Sequence, residues 1–209
     1  MFLKYIIILG DGMADYPVSE LGGKTPLEYA HKPYMDMLAE KGETGLVKTV
    51  PDELPPGSDV ANLSVFGYDP RKYYTGRSPL EAVSMGVELS SDDTAFRTNL
   101  VTLSDEADYS KKTMLDYSSG EIPTEEARAL IGDVQKALGS EYLSFFCGIS
   151  YRHLLLWHGC DTEYSLTPPH DISGKAITEY LPDSPILLEL MLQSYEILNN
   201  HPVNEARKA

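Results

Sequence analysis

The sequence predicts an α/β protein: a partial core built on a parallel-type sheet with helices, into which a separate α+β unit is inserted. Three observations predict it. The chain opens on a β-rich apolar run, Phe2 to Leu9, stopped by Gly10, which reads as a strand buried on both faces, as in a parallel sheet. Helical spacing and a second extended run follow it. From roughly Val87 the pattern changes to several short strands around one long amphipathic helix.

The elements are justified in order. Gly10-Asp11-Gly12 sets a carboxylate just past the carboxyl end of the first strand, the edge where open α/β sheets bind ligands. Pro33 to Lys41 has helical spacing (Tyr34, Met37, Leu38) and closes at Gly42 as a C-cap. Gly45 to Val50 reads as a second strand, followed by a loop of breakers, Pro51, Pro55, Pro56 and Gly57. Ser58-Asp59 opens a short helix through about Phe66, with Asp59 in its acidic first turn. Ser78-Pro79 pairs a cap with a first-turn proline and starts a helix to about Met85. Thr94 to Leu103, Lys112 to Tyr117, Leu143 to Ile149 and Tyr151 to Trp157 read as strands. Between them Thr124 caps a helix that runs to Leu138. A last amphipathic helix, Ile186 to about Leu198, ends at Asn199-Asn200-His201-Pro202. The expected organisation is therefore 1–86 as the first part of the core, 87–171 as the inserted α+β domain, and 172–209 as the return to the core, with its terminal helix at about 185–199.

Composition narrows the function. The 209 residues carry 17 Lys+Arg against 32 Asp+Glu, a net charge of −15, and 42% of them are hydrophobic. That is enough apolar material for a packed core. The acidic balance argues against nucleic acid and against an anionic membrane as partners, since both need a basic surface. Two cysteines, Cys147 and Cys160, are too few for a disulfide scaffold or a Cys-rich zinc site. The opening apolar run is too short for a signal-peptide core or a membrane span, so a cytoplasmic protein is expected.

Two nucleotide motifs are excluded. Gly23-Lys24-Thr25 resembles the end of a phosphate-binding loop, but the glycine required five residues earlier is Val18. Gly10-x-Gly12 lacks the third glycine of a dinucleotide loop, whose place Asp15 holds. The sharper candidate is Pro55-Pro56-Gly57-Ser58-Asp59-Val60-Ala61-Asn62. A serine after a rigid turn at a helix N-terminus sits among free backbone N–H groups that favour an anion such as a phosphoryl group. The plain alternative is that Ser58 only caps the helix. As a nucleophile it needs a base or a metal; Asp11 is the carboxylate available for such a metal, and equally a turn residue beside glycine. His153 and His158 are five apart on an apolar strand, which points them to opposite faces, one buried and one exposed. His170, in Pro168-Pro169-His170-Asp171, sits in a loop. Arg77, Arg97 and Arg152 are surface charges or, near a pocket, bidentate ligands for carboxylate and phosphate.

Beyond single residues, spaced motifs are similar to those of one family. They include Gly10-Asp11-Gly12-Met13-Ala14-Asp15, Gly23-Lys24-Thr25-Pro26-Leu27-Glu28, Pro56-Gly57-Ser58-Asp59-Val60-Ala61-Asn62 and Gly67-Tyr68-Asp69-Pro70. Tyr73-Tyr74-Thr75-Gly76-Arg77-Ser78-Pro79-Leu80-Glu81-Ala82, Phe96-Arg97-Thr98-Asn99, Tyr151-Arg152-His153-Leu154 and Pro168-Pro169-His170-Asp171-Ile172 extend the likeness. Together they resemble the archaeal-type cofactor-independent (2,3-bisphosphoglycerate-independent) phosphoglycerate mutases of the alkaline phosphatase superfamily. The resemblance implies an alkaline-phosphatase-like metal-binding core interrupted by an inserted domain. It implies interconversion of 3-phosphoglycerate and 2-phosphoglycerate in glycolysis and gluconeogenesis, through a phosphoserine at Ser58. It also implies divalent metals (Mn, Mg, Zn or Co) held by Asp11 and Ser58, with no 2,3-bisphosphoglycerate. The candidate substrate contacts are Arg77, Arg97, Arg152, His153 and His170.

Members of that family are roughly twice this length, with further Asp and His metal ligands in a second core segment after the insert. The expectation is therefore that these residues hold the nucleophile and the insert with about half a metal site, and little mutase activity alone. An open core edge is expected to favour a homo-oligomer. The alternatives are a phosphatase or phosphotransferase of the same superfamily, in which water accepts from Ser58, and a fragment that binds a phosphorylated acid without chemistry.

Overall fold

The computed structural model describes residues 3–10, 12–160 and 164–208. It is a mixed α/β structure that divides into two compact units, Met1–Thr49 and Val50–Ala209.

In the first unit a bridge between Val18 and Lys24 closes a tight turn. Helix α1 (Pro26–Tyr29) follows, its N-terminus closed by a capping box in which Thr25 and Glu28 each accept the other's backbone N–H. Helix α2 (Pro33–Lys41) matches its sequence-predicted bounds. The strand expected at Phe2 to Leu9 is not formed over the described residues 3–9, and Gly45 to Val50 forms none either. Tyr5, Ile6 and Ile8 are more than 80% exposed and Leu46 is fully so. The physical reason is that an apolar run becomes a strand only when neighbouring strands take up its backbone groups and cover both faces. Among the described residues no such neighbour is present, and every pairing in the two sheets is antiparallel rather than parallel.

The second unit begins with three helices, α3 (Ser58–Val65), α4 (Pro70–Tyr73) and α5 (Arg77–Ser84). Strand β1 (Asp93–Asn99) pairs antiparallel with β5 (Arg152–His158), which pairs in turn with β4 (Leu143–Phe146), giving the order β1-β5-β4. A two-stranded sheet joins β2 (Thr102–Leu103) to β3 (Met114–Asp116). The single run expected from Thr94 to Leu103 is thus split. Leu100 leaves the ladder, donates its N–H to the Tyr151 carbonyl and turns into the core.

Helix α6 (Thr124–Leu138) keeps its expected length, but Pro123 occupies the cap position. The Thr124 hydroxyl instead accepts the Ser150 N–H at 3.0 Å. Helix α7 (Pro185–Asn199) starts where Ser184 accepts the Leu187 N–H. Pro202, expected only as a breaker, ends α7 and opens a further helix, α8 (Pro202–Lys208), because a first-turn proline needs no N–H partner.

One sheet face is the core side. Leu130, Ile131 and Ala127 of α6 gather with Leu100 and Ile122, while Phe96 and Leu155 pack with Leu187 of α7. A third cluster, Met114, Ile172 and Ile177, fixes the loop after Pro168 against β3. On the opposite face α5 lies on β1 and β5, with Ala82 fully buried. No described helix is long and apolar enough to cross a membrane.

Ala82 sets how closely α5 approaches the sheet. Ala82→Leu is therefore expected to overpack this contact and cost about 1–3 kcal/mol of stability, read by urea unfolding. An unchanged midpoint would show that α5 is not packed there.

Candidate active site

Ser58 is exposed and occupies the first helical position of α3, with Gly57 at the cap. The expected capping serine is thus displaced by one residue, and its hydroxyl stands in the first turn, where backbone N–H groups have no helical partner. A side chain at Gly57 would collide with the carboxylate of Asp59, so glycine permits that carboxylate to fold back over the turn.

Asp59 ties this turn to the next helix. The Tyr74 hydroxyl donates to Asp59 Oδ2 at 2.6 Å. Burial works against the Asp59 charge, yet the Tyr74 hydroxyl, the Val60 and Asp59 backbone N–H groups and the nearby Arg77 charge together hold its carboxyl below the usual range. Burial and the Asp59 partner push the Tyr74 phenol up to about 12, so it stays protonated and donating.

Arg77 opens α5 behind Gly76, whose φ of 114° is one that side-chain-bearing residues rarely adopt. The helix was expected to start at the Ser78-Pro79 cap. Here Ser78 is inside the helix and its hydroxyl accepts the Arg97 N–H at 3.1 Å, joining α5 to β1. The Arg97 side chain reaches toward α5, with Nε 3.6 Å from Glu81 Oε1; this Nε is buried and makes no hydrogen bond.

The β1–β5 register decides which candidates meet. Asn99 pairs with Arg152 and Arg97 with Leu154. Residues two apart on a strand share a face, so Arg97 and Arg152 are diagonal neighbours on the α5 side. The Arg152 guanidinium lies 5.3 Å from the Tyr151 ring centroid. His170, half-exposed, has Nε2 3.4 Å from Asp171 Oδ1, and its ring meets Tyr117 edge-on at 6.1 Å.

His153 is not part of this group. It pairs with Thr98 and points to the other face, 1% exposed, where its Nδ1 accepts the Gly148 N–H at 3.2 Å and its Nε2 has no hydrogen-bond partner. His158, five residues on, is exposed and bonds Asp93 at 2.9 Å; the opposite faces expected for this pair are observed. Asp11 lies outside the described residues. Among those described, no three His, Cys, Asp or Glu side chains converge as a metal set. Sequence reasoning did not single out Tyr74, Glu81 or Tyr117, because each is a partner supplied by another element, with no periodic or spacing signal of its own.

An exposed serine in the first turn of a helix, an acid–phenol pair beside it and arginines along one sheet face form the candidate site. The family model for 2,3-bisphosphoglycerate-independent phosphoglycerate mutase matches residues 39–204, and the chain belongs to that family. It is 55% identical over 203 residues to a Geobacter sulfurreducens protein named as a probable 2,3-bisphosphoglycerate-independent phosphoglycerate mutase, covering 96% of this chain and 50% of that one. Over 211 residues it is 54% identical to the mutase of that name from Methanosarcina barkeri, covering 98% and 51%. The solved structure of the PH0037 protein from Pyrococcus horikoshii superposes with a TM-score of 0.64 at 33% identity, over 95% of this chain and 45% of that one. The chain spans about half the length of the curated relatives it matches.

Burial pushes the His153 imidazole from an ordinary 6.5 down to about 4. The unfolded chain takes up this proton below about pH 6.5 and the folded chain only near pH 4, so stability falls as pH drops across that window. Between pH 7 and pH 5 the loss attributable to this one group is about 2 kcal/mol. Urea unfolding of the wild type and His153→Gln at both pH values measures it. Equal pH dependence in the two proteins would refute the assignment.

Proposed function

We propose that this chain carries the phosphoryl-accepting part of a phosphoglycerate mutase that interconverts 3-phosphoglycerate and 2-phosphoglycerate through phospho-Ser58. The observation that carries the reading is the exposed Ser58 hydroxyl in the first turn of α3, beside the Asp59–Tyr74–Arg77 network, in a chain of this family. The alkaline-phosphatase-like core with an inserted domain over 87–171, and a cytoplasmic setting, belong to the same proposal.

The proposed chemistry starts from Ser58 and the candidate contacts. Ser58 Oγ forms a bond to phosphorus as the ester bond to the glycerate C3 oxygen breaks, and the serine proton ends on that oxygen. In the reverse sense the C2 hydroxyl takes the phosphoryl group and returns a proton to Ser58. Phosphate esters react slowly unaided, so charge must be neutralised where it develops. The α3 N-terminus and Arg77 are assigned to that charge, and Arg97, Arg152 and His170 to keeping the glycerate bound as it reorients. Excluding water during that reorientation separates a mutase from a phosphatase. Among the described residues no three His, Cys, Asp or Glu side chains converge, so these alone do not compose the divalent-metal set that the resemblance implies.

Incubation with 3-phosphoglycerate and Mn²⁺ is expected to place one phosphoryl group on Ser58, seen by intact mass and peptide mapping. Slow formation of 2-phosphoglycerate is expected with it. Ser58→Ala is expected to remove the adduct and lower turnover by roughly three orders of magnitude or more. Free phosphate as the sole product would replace the mutase reading with hydrolysis, and an adduct that persists in Ser58→Ala would remove Ser58 from the mechanism.

A further inference from the structure

Tyr117 belongs to no motif of the site, yet the chain around it is held in a conformation that side chains resist. Ser119 and Glu121 have φ of 50° and 51°, with Gly120 at 65° between them. Non-glycine residues in this region cost free energy and persist only where surrounding contacts impose them. Here the contacts are present. Asp116 Oδ1 accepts both the Ser118 N–H and its hydroxyl at 2.8 Å, and Oδ2 accepts the Gly120 N–H at 2.6 Å. Arg207 of α8 donates to the Ser119 carbonyl at 2.6 Å while pairing with Glu126 of α6 at 2.7 Å. The Asn99 amide, from the strand position opposite Arg152, donates to the Tyr117 carbonyl at 3.4 Å.

This turn delivers one half-buried phenol ring that meets a second phenol and an imidazole. Tyr117 meets Tyr151 edge-to-face, with centroids 5.7 Å apart at 77°. It meets His170 at 6.1 Å and 71°. Tyr151 in turn carries the Arg152 guanidinium over its ring. His170 is delivered by a loop whose Ile172 is buried against Met114 of β3, the strand that leads into Tyr117. Arg152 and His170 therefore come from separate segments and are linked through the contact between the Tyr151 and Tyr117 rings on which they rest.

We propose that Tyr117 is a positioning residue that sets Arg152, through Tyr151, and His170 at a fixed separation as one binding wall for the carboxylate of the phosphorylated acid. This rests on the reading that 3-phosphoglycerate binds in this unit. The ring, rather than the phenol oxygen, carries the function, because edge-to-face contacts need the aromatic quadrupole.

The test compares Tyr117→Phe and Tyr117→Ala with the wild-type chain. One readout is 3-phosphoglycerate binding; the other is the His170 ring proton resonance, assigned with His170→Asn. Tyr117→Phe is expected to bind within about twofold of wild type and to leave the His170 resonance in place. Tyr117→Ala is expected to weaken binding about tenfold, to shift that resonance, and to leave circular dichroism unchanged. If Tyr117→Ala unfolds, a Tyr117→Phe protein with weakened binding overturns the ring-based role. Tyr117→Ala with wild-type affinity and an unmoved resonance overturns the proposal outright. A wild-type chain that does not bind 3-phosphoglycerate overturns the ligand assigned to the wall, while the His170 resonance still decides whether Tyr117 holds the ring.

Discussion

The register between β1 and β5 is the constraint on which the rest depends. Because successive strand residues point to opposite faces, the pairing of Arg97 with Leu154 commits every other side chain of both strands. It sends Phe96 and Leu155 to the α7 side and Arg97 and Arg152 to the α5 side. A slip of one residue would exchange these sets, placing guanidinium groups against leucines and exposing the core. The apolar clusters that stabilise the fold thus also fix which cations can act together. Packing and site geometry are two readings of one ladder.

That coupling explains what was legible in the sequence. The long helices over 124–138 and 185–199 were readable because their apolar spacing is local and repeated. The opposite faces of His153 and His158 followed from strand period alone. Ser58 was readable as a helix-start residue, though the cap belongs to Gly57. What could not be read is what depends on a partner far along the chain. The bond from Tyr74 to Asp59 crosses 15 positions and that from Arg207 to Ser119 crosses 88. The first apolar run failed as a strand for the same reason. Its composition favours extension, but extension becomes a strand only when something pairs with it.

Charge is distributed unevenly with respect to the site. Against a net −15 for the chain, the α5 side of the sheet assembles cations from several segments, and the nearby acids are engaged. Glu81 faces Arg97, and Asp59 is held by Tyr74. The Arg97 ion pair offsets the Glu81 charge, whereas the neutral Tyr74 phenol fixes the Asp59 carboxylate without cancelling its charge. The Tyr151 ring supports the Arg152 guanidinium without cancelling its charge.

The exposed run from residue 3 to residue 9 has a colloidal consequence. It contains one charge, Lys4, and no proline, the composition of a segment that stacks readily with copies of itself. The counterweight is the mutual repulsion of chains that each carry −15. Such repulsion reaches only about 10 Å at 0.1 M salt and about 3 Å at 1 M. Ionic strength, which leaves the buried clusters untouched, therefore governs whether neighbouring chains come close enough for these segments to touch.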